Sequence, residues 1–379
     1  MDADMDADMD MDLGTHVTRR TLGRRTGIEV SALGLGCWAI GGEWSGPDGQ
    51  PYGWGAVDDE ESVRAIRRGL DLGVNFFDTA DNYGTGHSER VLGRAIGARR
   101  DDVVIATKWG NVFDEETRSA TGNPDDSVAY ARRALTASLK RLGTEYVDLY
   151  QLHIGDADPE RAAQLRDACE EFVREGFIRA YGWSTDDPAR AAVFAEGPHC
   201  AAVQHRCNVL QDAPEMLAAG AELGLASVVR SPLAMGLLTG KFGGGRVPAA
   251  GDIRSAPPSW LPGFGDGGGA DPQWLARVDA VRSVLTGGGR TLAQGALAWL
   301  WARSPLTVPI PGFRTVAQVE ENAGALEYGP LSAEELAEVE RILGEGALGE
   351  EALDEGALGE EALGEEALGE GALGEQALS

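Results

Sequence analysis

Short apolar segments alternate with longer amphipathic segments through most of the chain. Eight of the apolar segments have the length and composition of buried strands, and the stretches between them show helical spacing. We predict strands at Leu33–Gly36, Val74–Phe77, Val103–Thr107, Val147–Leu152, Ile178–Gly182, Ala201–Val203, Ser227–Arg230 and Leu306–Ile310. Eight parallel strands that alternate with helices can close into a barrel. The pattern therefore predicts an α/β protein with a (β/α)8 TIM-barrel fold.

Two of the helical stretches carry clear start signals or a clear apolar face. Asp58–Leu72 begins with Asp58 and Glu61, which have the spacing of a capping box. Asp126–Leu142 has five apolar residues at helical spacing. We expect both segments to form helices that pack an apolar face against the sheet.

An open, doubly wound sheet is the alternative to a closed barrel. Such a sheet binds dinucleotides through a Gly-x-Gly-x-x-Gly turn between its first strand and first helix. In this chain the segment Gly34-Leu-Gly36 lacks the third glycine and does not lead into a helical pattern. We therefore favour the barrel.

Two further segments are expected at opposite ends of that barrel. Thr21–Ile28 contains Gly23 and Gly27, and we predict an N-terminal β-hairpin there that covers the bottom of the barrel. Residues 243–272 are rich in Gly and Pro and follow the seventh predicted strand. Long loops at that end of a barrel are where ligands usually bind.

The two ends of the chain differ from its body in composition. Residues 1–12 contain six Asp, and residues 344–378 repeat a five-residue unit seven times. A leucine every five residues advances about 140° around a helix, so the leucines form no single apolar face. We predict a disordered acidic tail at 1–16, the barrel at 17–343 and a low-complexity tail at 344–379. The two tails hold more than half of the net charge of −28.

Charge and cysteine content restrict the class of protein. An acidic chain repels the phosphates of nucleic acids and anionic lipids, so we expect neither nucleic acid nor membrane as a partner. The four cysteines form no Cys-x-x-Cys motif, and we expect reduced thiols, no metal site and a cytoplasmic location. No apolar segment approaches the roughly 18–20 residues of a membrane span, and the acidic N-terminus lacks the pattern of a signal peptide.

Four polar residues follow three successive predicted strands. Asp78 and Tyr83 come after the second strand, Lys108 ends the third, and His153 follows the fourth. Each residue taken singly could cap a turn, be solvated or be structural, but barrel enzymes carry their active sites at this end of the strands. We therefore expect the four side chains to converge.

The four side chains together suit the reduction of a carbonyl group. Tyr83 would give the proton, but a phenol with a pKa of about 10 is a weak acid. We expect the charge of Lys108 to lower the pKa of Tyr83, and Asp78 to hold Lys108 in place. His153 would hydrogen-bond the substrate oxygen and orient it.

These residues lie in a series of motifs that resembles the aldo-keto reductase superfamily over residues 17–343. The motifs are Leu33-Gly-Leu-Gly-Cys-Trp38, Val74-Asn-Phe-Phe-Asp78-Thr-Ala-Asp-Asn-Tyr83-Gly, His87-Ser-Glu-Arg90, Thr107-Lys108-Trp, Asp148-Leu-Tyr-Gln-Leu-His153, the segment Ser231–Lys241, and Ile310-Pro-Gly-Phe-Arg314. The resemblance implies that an aldehyde or ketone is reversibly reduced to the alcohol. It implies Tyr83 as general acid, Asp78, Lys108 and His153 as the rest of a tetrad, and NADPH as hydride donor.

The resemblance also implies residues for the nicotinamide end of the cofactor. Ser184 and Gln204 would bind the carboxamide, and Trp38 and Arg230 would lie near the ring. Many members have Asn at the position of Thr185 and an aromatic residue at that of Arg230. An arginine can stack on a ring, but it adds positive charge beside an oxidised nicotinamide. The implied set here also contains Cys37, Thr185 and Ser231.

The phosphates and adenine are expected along the last two loops. Leu233–Lys241 would lie against the pyrophosphate, where Leu238 is part of the implied set, Gly236 permits close approach and Lys241 offers charge, although a lysine at a loop end is usually solvated. Gly312 and Arg314 precede a helix whose N-terminus favours anions, which suits a ribose 2′-phosphate. Three polar residues share one face of that helix. The resemblance assigns them to adenine, although they could form a plain exposed face: Gln318, Glu321 and Asn322.

Two other functions and the substrate pocket stay open. The chain could be an NADPH-binding regulatory subunit of the channel β-subunit type, although those resemble enzymes with part of the tetrad altered. It could also be a phosphate-binding isomerase or lyase without nicotinamide. A small carbonyl substrate would meet Trp44–Trp54, Trp109–Asn123 and 243–272. The aromatic residues there either line a pocket or pack the loops against the barrel: Trp44, Tyr52, Trp54, Trp109, Phe113, Trp260 and Phe264.

Overall fold

The computed structural model describes residues 19–265 and 267–344 of the chain. Its strands are β1 Arg19–Leu22, β2 Ile28–Ser31, β3 Gly34–Gly36, β4 Phe76–Asp78, β5 Val104–Trp109, β6 Asn111–Asp114, β7 Ser119–Pro124, β8 Val147–Leu152, β9 Ile178–Ser184, β10 Cys200–Arg206, β11 Ala226–Arg230 and β12 Thr307–Pro309. Its helices are α1 Asp59–Asp71, α2 His87–Ile96, α3 Val128–Leu142, α4 Pro159–Arg174, α5 Pro188–Ala195, α6 Pro214–Leu223, α7 Pro272–Leu285, α8 Leu292–Arg303 and α9 Val316–Gly324. Residues 333–344 are also helical.

Eight parallel strands form one sheet in the order β12-β11-β10-β9-β8-β5-β4-β3. The two ends of the sheet meet where Gly36 N donates to Pro311 O at 3.0 Å and Gly36 bridges Gly312 in parallel. Each predicted strand overlaps one of these eight. The TIM-barrel prediction is therefore confirmed, and the open sheet is excluded.

The predicted hairpin forms between β1 and β2, which pair antiparallel. Leu22, Ile28 and Val30 are buried in one cluster with inward-facing residues of the barrel strands, such as Phe76 and Leu149. Arg24 N, in the turn, donates to Gly224 O just before β11 at 2.9 Å. The hairpin thus closes the bottom of the barrel and leaves the opposite end open for a site.

Helix α1 begins as the sequence predicts, but its capping box is incomplete. The Asp58 carboxylate accepts from Glu60 N and Glu61 N. The Glu61 carboxylate does not return to the cap; it binds Arg64 and accepts from Val316 N at 2.8 Å, the first N–H of α9. The capping-box prediction was half wrong, because a contact between distant helices took the Glu61 side chain.

Three loops at the open end of the barrel are joined by backbone hydrogen bonds. Ser45 N donates to Arg118 O at 3.0 Å, which links the loop after β3 to the β6–β7 hairpin. Ile253 N donates to Gly53 O at 2.8 Å, which links the same loop to the long segment after β11. These loops form one continuous wall beside the strand ends.

The remaining predictions concern the tails, membranes and cysteines. The tails at 1–16 and 344–379 lie outside the described residues, apart from Gly344. Within the described part of the chain, no helix combines the length and apolarity that a membrane crossing requires. All four cysteines are buried and lie outside any disulfide bond.

Candidate active site

The four residues that the sequence singled out converge at the open end of the barrel. Lys108 Nζ, at the end of β5, donates to Asp78 Oδ1 at 2.5 Å, to Thr79 O at 2.8 Å and to Tyr83 Oη at 3.2 Å. The rings of Tyr83 and His153 meet edge to face with centroids 5.9 Å apart. All three ammonium hydrogens of Lys108 therefore have acceptors, and one acceptor is the phenol.

Burial decides the pKa of Tyr83. Burial raises it, the charge of Lys108 and its hydrogen bond lower it, and Asp78 raises it further, so that the net direction is upward. Lys108 acts in the direction that the sequence analysis expects, but removal of the phenol from water outweighs one cation that Asp78 already partly neutralises. Tyr83 is thus held as a neutral phenol, which is the form that can give a proton.

The site keeps Lys108 charged and His153 neutral. Burial alone lowers the pKa of Lys108, but Asp78 and Tyr83 offset this and raise it overall. Burial, and then the charges of Lys108 and Arg230, lower the pKa of His153 well below its usual value. A buried cation with a carboxylate partner stays charged, whereas an imidazole near two cations stays neutral. His153 can therefore donate one hydrogen bond without adding charge to the site.

Two buried polar residues near the tetrad were missed by the sequence analysis. Gln151 Nε2 donates to Asp78 Oδ2 at 3.0 Å, next to the bond from Gln204 Nε2 at 2.8 Å. Glu89 is fully buried, accepts from Thr107 Oγ1 at 2.6 Å and pairs with Arg141 Nε at 2.6 Å. Both residues lie within motifs quoted for the family resemblance, and a buried polar residue at an inward strand position is the signal that could have identified Gln151.

A cavity of about 1510 Å³ opens beside Tyr83 and His153. Of the sixteen residues implied for the cofactor, Thr185 and Leu238 do not line it. Thr185 Oγ1 donates to Gly155 O at 2.8 Å, and Leu238 is fully buried. The structure brings the other fourteen to the cavity: Cys37, Trp38, Ser184, Gln204, Arg230, Ser231, Leu233, Gly236, Lys241, Gly312, Arg314, Gln318, Glu321 and Asn322.

Gly236 is a glycine for a local geometric reason. Its φ is +96°, and a Cβ at this position would lie 2.8 Å from Lys241 Cε. The preceding residues Ala234 and Met235 also have positive φ. The loop after β11 therefore curls tightly and leaves the Lys241 side chain room to reach the cavity.

Four lysine and arginine residues of the cavity form no ion pair with any described residue, and Lys241 and Arg314 are the two among them that belong to the implied cofactor set; the others are Arg206 and Arg246. Lys241 Nζ lies 5.1 Å from the centroid of the Phe242 ring, and burial, followed by the charge of Arg254, lowers its pKa to about 8. Arg314 is fixed by main-chain oxygens, with Nη1 donating to Trp54 O at 2.9 Å. Positive charge that protein carboxylates leave unpaired favours an anionic ligand.

Arg230, by contrast, has its own carboxylate partner. Its guanidinium pairs with Asp186, which also accepts from Arg206 N at 2.7 Å. The Asp186 carboxylate therefore offsets the positive charge that Arg230 places beside the expected position of the cofactor ring. The sequence did not identify Asp186, since it lies 44 residues from its partner.

The aromatic residues near the substrate side divide into two groups. Trp44, Tyr52, Trp54 and Trp260 line the cavity together with Trp38. The other three pack the loops: Trp109 stacks on Tyr150, Phe113 lies beside Arg141, and Phe264 packs on Phe242. Of the seven aromatic residues named from the sequence, four thus line a pocket and three pack the loops against the barrel.

Comparison with known proteins gives a consistent result. The model of the aldo/keto reductase family matches residues 32–343. L-glyceraldehyde 3-phosphate reductase of Escherichia coli O157:H7 is 30% identical over 345 residues, which cover 86% of this chain and 92% of that protein. A putative voltage-gated potassium channel subunit beta of Schizosaccharomyces pombe is 30% identical over 347 residues, covering 86% of this chain and 94% of its own length.

A solved structure is similar over nearly the same range. An aldo-keto reductase from Klebsiella pneumoniae in complex with NADPH has a TM-score of 0.61 and 27% sequence identity to this chain. The match covers 86% of this chain and 95% of the other. The range matched by the family model includes Tyr83, Asp78, Lys108 and His153.

Proposed function

The chain belongs to the aldo/keto reductase family, and we propose that it reduces an aldehyde or ketone to the alcohol with NADPH as hydride donor. The observation that carries this proposal is the contact of Lys108 Nζ with both Tyr83 Oη and Asp78 Oδ1. A phenol that touches a buried, carboxylate-paired ammonium is a proton donor whose conjugate base is stabilised in advance.

The residues of the cavity fit a phosphorylated dinucleotide. Lys241 and Arg314 offer positive charge without a carboxylate partner among the described residues, and Gly236 leaves the loop after β11 without a side chain at its tightest point. Lys241 would hold the pyrophosphate and Arg314 the 2′-phosphate of the adenosine ribose. Ser184 and Gln204 would bind the carboxamide. When bound, NADPH supplies the hydride to the carbonyl carbon.

The proton chemistry is carried by the residues of the chain. As hydride reaches the carbonyl carbon, negative charge develops on the oxygen, and Tyr83 transfers its phenolic proton there. Lys108 stabilises the resulting phenolate, which regains a proton from solvent. Neutral His153 donates a hydrogen bond to the same oxygen and orients it. In the direction of alcohol oxidation, the Tyr83 phenolate accepts the proton instead.

The experiment that tests the proposal replaces Tyr83 with Phe. This variant keeps the ring that stacks on Trp38 at 5.9 Å and removes only the acid, so we expect turnover of a small aromatic aldehyde to fall at least about 100-fold. NADPH affinity, measured by fluorescence titration, should stay near that of the wild type. Tyr328→Phe is the control, because Tyr328 Oη donates to Gly289 O away from the cavity. Reduction by Tyr83→Phe at the wild-type rate would refute the role of Tyr83.

The same assays test the two other functions. A regulatory subunit would bind NADPH but turn over no member of a panel of aldehydes, ketones and sugars. An isomerase or lyase without nicotinamide would not bind NADPH at all. This chain is similar to a putative channel subunit of Schizosaccharomyces pombe. The complete tetrad nevertheless favours an enzyme that reduces carbonyl groups over a regulatory subunit and over an isomerase or lyase.

A further inference from the structure

Gln151 is a buried glutamine on β8, two residues before His153. Side chains alternate along a strand, so Leu149, Gln151 and His153 share the inward face of β8. Leu149 belongs to the apolar cluster at the bottom of the barrel, and His153 lies at the cavity. Gln151 lies between them, is fully buried and does not line the cavity. It therefore contacts neither substrate nor cofactor.

The side chain of Gln151 is committed to Asp78. Its Nε2 donates to Asp78 Oδ2, the oxygen that Lys108 does not bind. Gln204 Nε2 donates to the same oxygen and also approaches Gln151 Oε1 at 3.3 Å. One carboxylate on β4 thus receives side-chain donors from β5, β8 and β10. A buried amide group without hydrogen-bond partners would lower the stability of the folded protein. The bonds of Gln151 to Asp78 and Gln204 therefore explain how the barrel accommodates a polar side chain at this position.

The chemistry of the carboxylate fixes the orientation of both amides. An ionised Asp78 can only accept hydrogen bonds, so each glutamine must present its nitrogen to it. Both glutamines are neutral, so they stabilise the Asp78 carboxylate without cancelling the charge of Lys108. A neutral donor spreads the negative charge of a carboxylate and fixes its position.

We propose that Gln151 is a positioning residue for carbonyl reduction: it holds the Asp78 carboxylate aligned on Lys108, and through Asp78 and Lys108 it controls proton transfer from Tyr83. This inference rests on the function proposed above. Lys108 bonds to both Asp78 and Tyr83 and so links the two side chains. A change at Gln151 therefore reaches the phenol through three hydrogen bonds in series, by way of Asp78 and Lys108.

The test is the replacement Gln151→Met, which keeps an unbranched side chain of similar length and removes the donor. The Asp78 Oδ2 atom then keeps only the donor from Gln204, so the Asp78 charge should oppose the Tyr83 phenolate more strongly, since Asp78 already raises the Tyr83 pKa. We expect kcat for aldehyde reduction to fall about tenfold or more, while the KM for NADPH changes less than about threefold. The pH profile of alcohol oxidation should move to higher pH by about half a unit or more.

A second variant uses the same position with nearly the same volume. Gln151→Glu can donate to Asp78 only while its carboxyl group is protonated, and it repels Asp78 once ionised. Its kcat should therefore approach that of the wild type at low pH and fall towards that of Gln151→Met as the pH rises. If Gln151→Met does not fold, Gln151→Glu carries the test by itself.

Leu149→Ala is the matched control for loss of packing on the same face of β8. It should lower the midpoint of thermal unfolding without moving the pH profile. Wild-type kcat and an unmoved profile in Gln151→Met would show that Gln151 only fills the barrel, and would overturn this inference alone. Absence of NADPH-dependent turnover in the wild type would overturn the proposed function, and this inference with it.

Discussion

At the scale of single residues, the pKa of a buried ammonium group near the site depends on its partners. Lys108 is fully buried yet keeps a raised pKa, because Asp78 and Tyr83 stabilise its charge. Lys241 is less deeply buried but has no carboxylate partner in the described part of the chain, and its pKa is lowered to about 8. Desolvation acts on both ammonium groups, and the nearby carboxylate decides the outcome.

The lowered pKa of Lys241 predicts that NADPH affinity depends on pH. The charged form binds phosphate and the neutral form does not, so the Kd for NADPH should rise as the pH passes about 8, by up to about tenfold for each further pH unit. The phosphates of NADPH do not titrate above about pH 8, since the second pKa of a phosphate monoester is about 6. Fluorescence titration of NADPH across this range measures the effect.

Lys241→Arg is the control for that prediction. An arginine stays charged at any pH in this range, so its Kd for NADPH should be nearly independent of pH. A wild-type Kd that is equally flat would contradict the role of Lys241.

At the scale of elements, the close packing of α7 against α8 depends on one glycine. A Cβ on Gly295 would lie 2.0 Å from Leu285 O, at the end of α7. Gly295→Ala should therefore lower the free energy of unfolding by roughly 1–3 kcal/mol, because two backbones must move apart. Urea denaturation measures this change.

Gly220 in α6 provides the matched comparison. A Cβ there would meet only Leu225 O, at an ordinary distance of 3.7 Å. Gly220→Ala should raise the free energy of unfolding by about 0.5–1 kcal/mol, since alanine has the higher helix propensity. Equal effects of the two replacements would show that helix propensity, and not the α7–α8 contact, governs both.

At the scale of the whole molecule, Trp260 joins parts of the chain that are far apart in sequence. Its ring centroid lies 6.3 Å from those of Trp38 and Tyr52, and its carbonyl accepts from Arg206 Nη2 at 3.1 Å. The Trp260 side chain is nevertheless 46% exposed and lines the cavity. A large apolar surface left open beside Trp38 and Tyr52 is suited to an apolar part of the substrate.

Trp260→Ala should therefore change substrate preference. We expect the KM for an aromatic aldehyde to rise about tenfold, from the loss of roughly 1.5 kcal/mol of apolar contact, and the KM for a short aliphatic aldehyde to change little. Phe177→Ala is the control, because Phe177 is similarly exposed but precedes β9 at the other end of the barrel. An equal rise for both aldehydes in Trp260→Ala would argue against an apolar contact.

The sequence by itself determined the barrel and the end of it that carries the tetrad. Strand positions follow from apolar segments of limited length, and parallel strands bring their C-terminal ends to one face. Asp78, Tyr83, Lys108 and His153 could therefore be predicted to converge before any contact was known. The family resemblance supplied fourteen further residues of the cavity in the same way, position by position.

Only the tertiary structure decided how strongly those residues interact and what else supports them. Gln151 and Gln204 reach Asp78 across 73 and 126 residues of sequence, and Glu61 leaves its own helix cap for Val316. The net rise in the Tyr83 pKa is likewise a balance between burial and two opposite charges. Local patterns specify elements because the spacing of apolar residues is a local property of the chain, whereas burial and long-range contacts exist only once the barrel has closed.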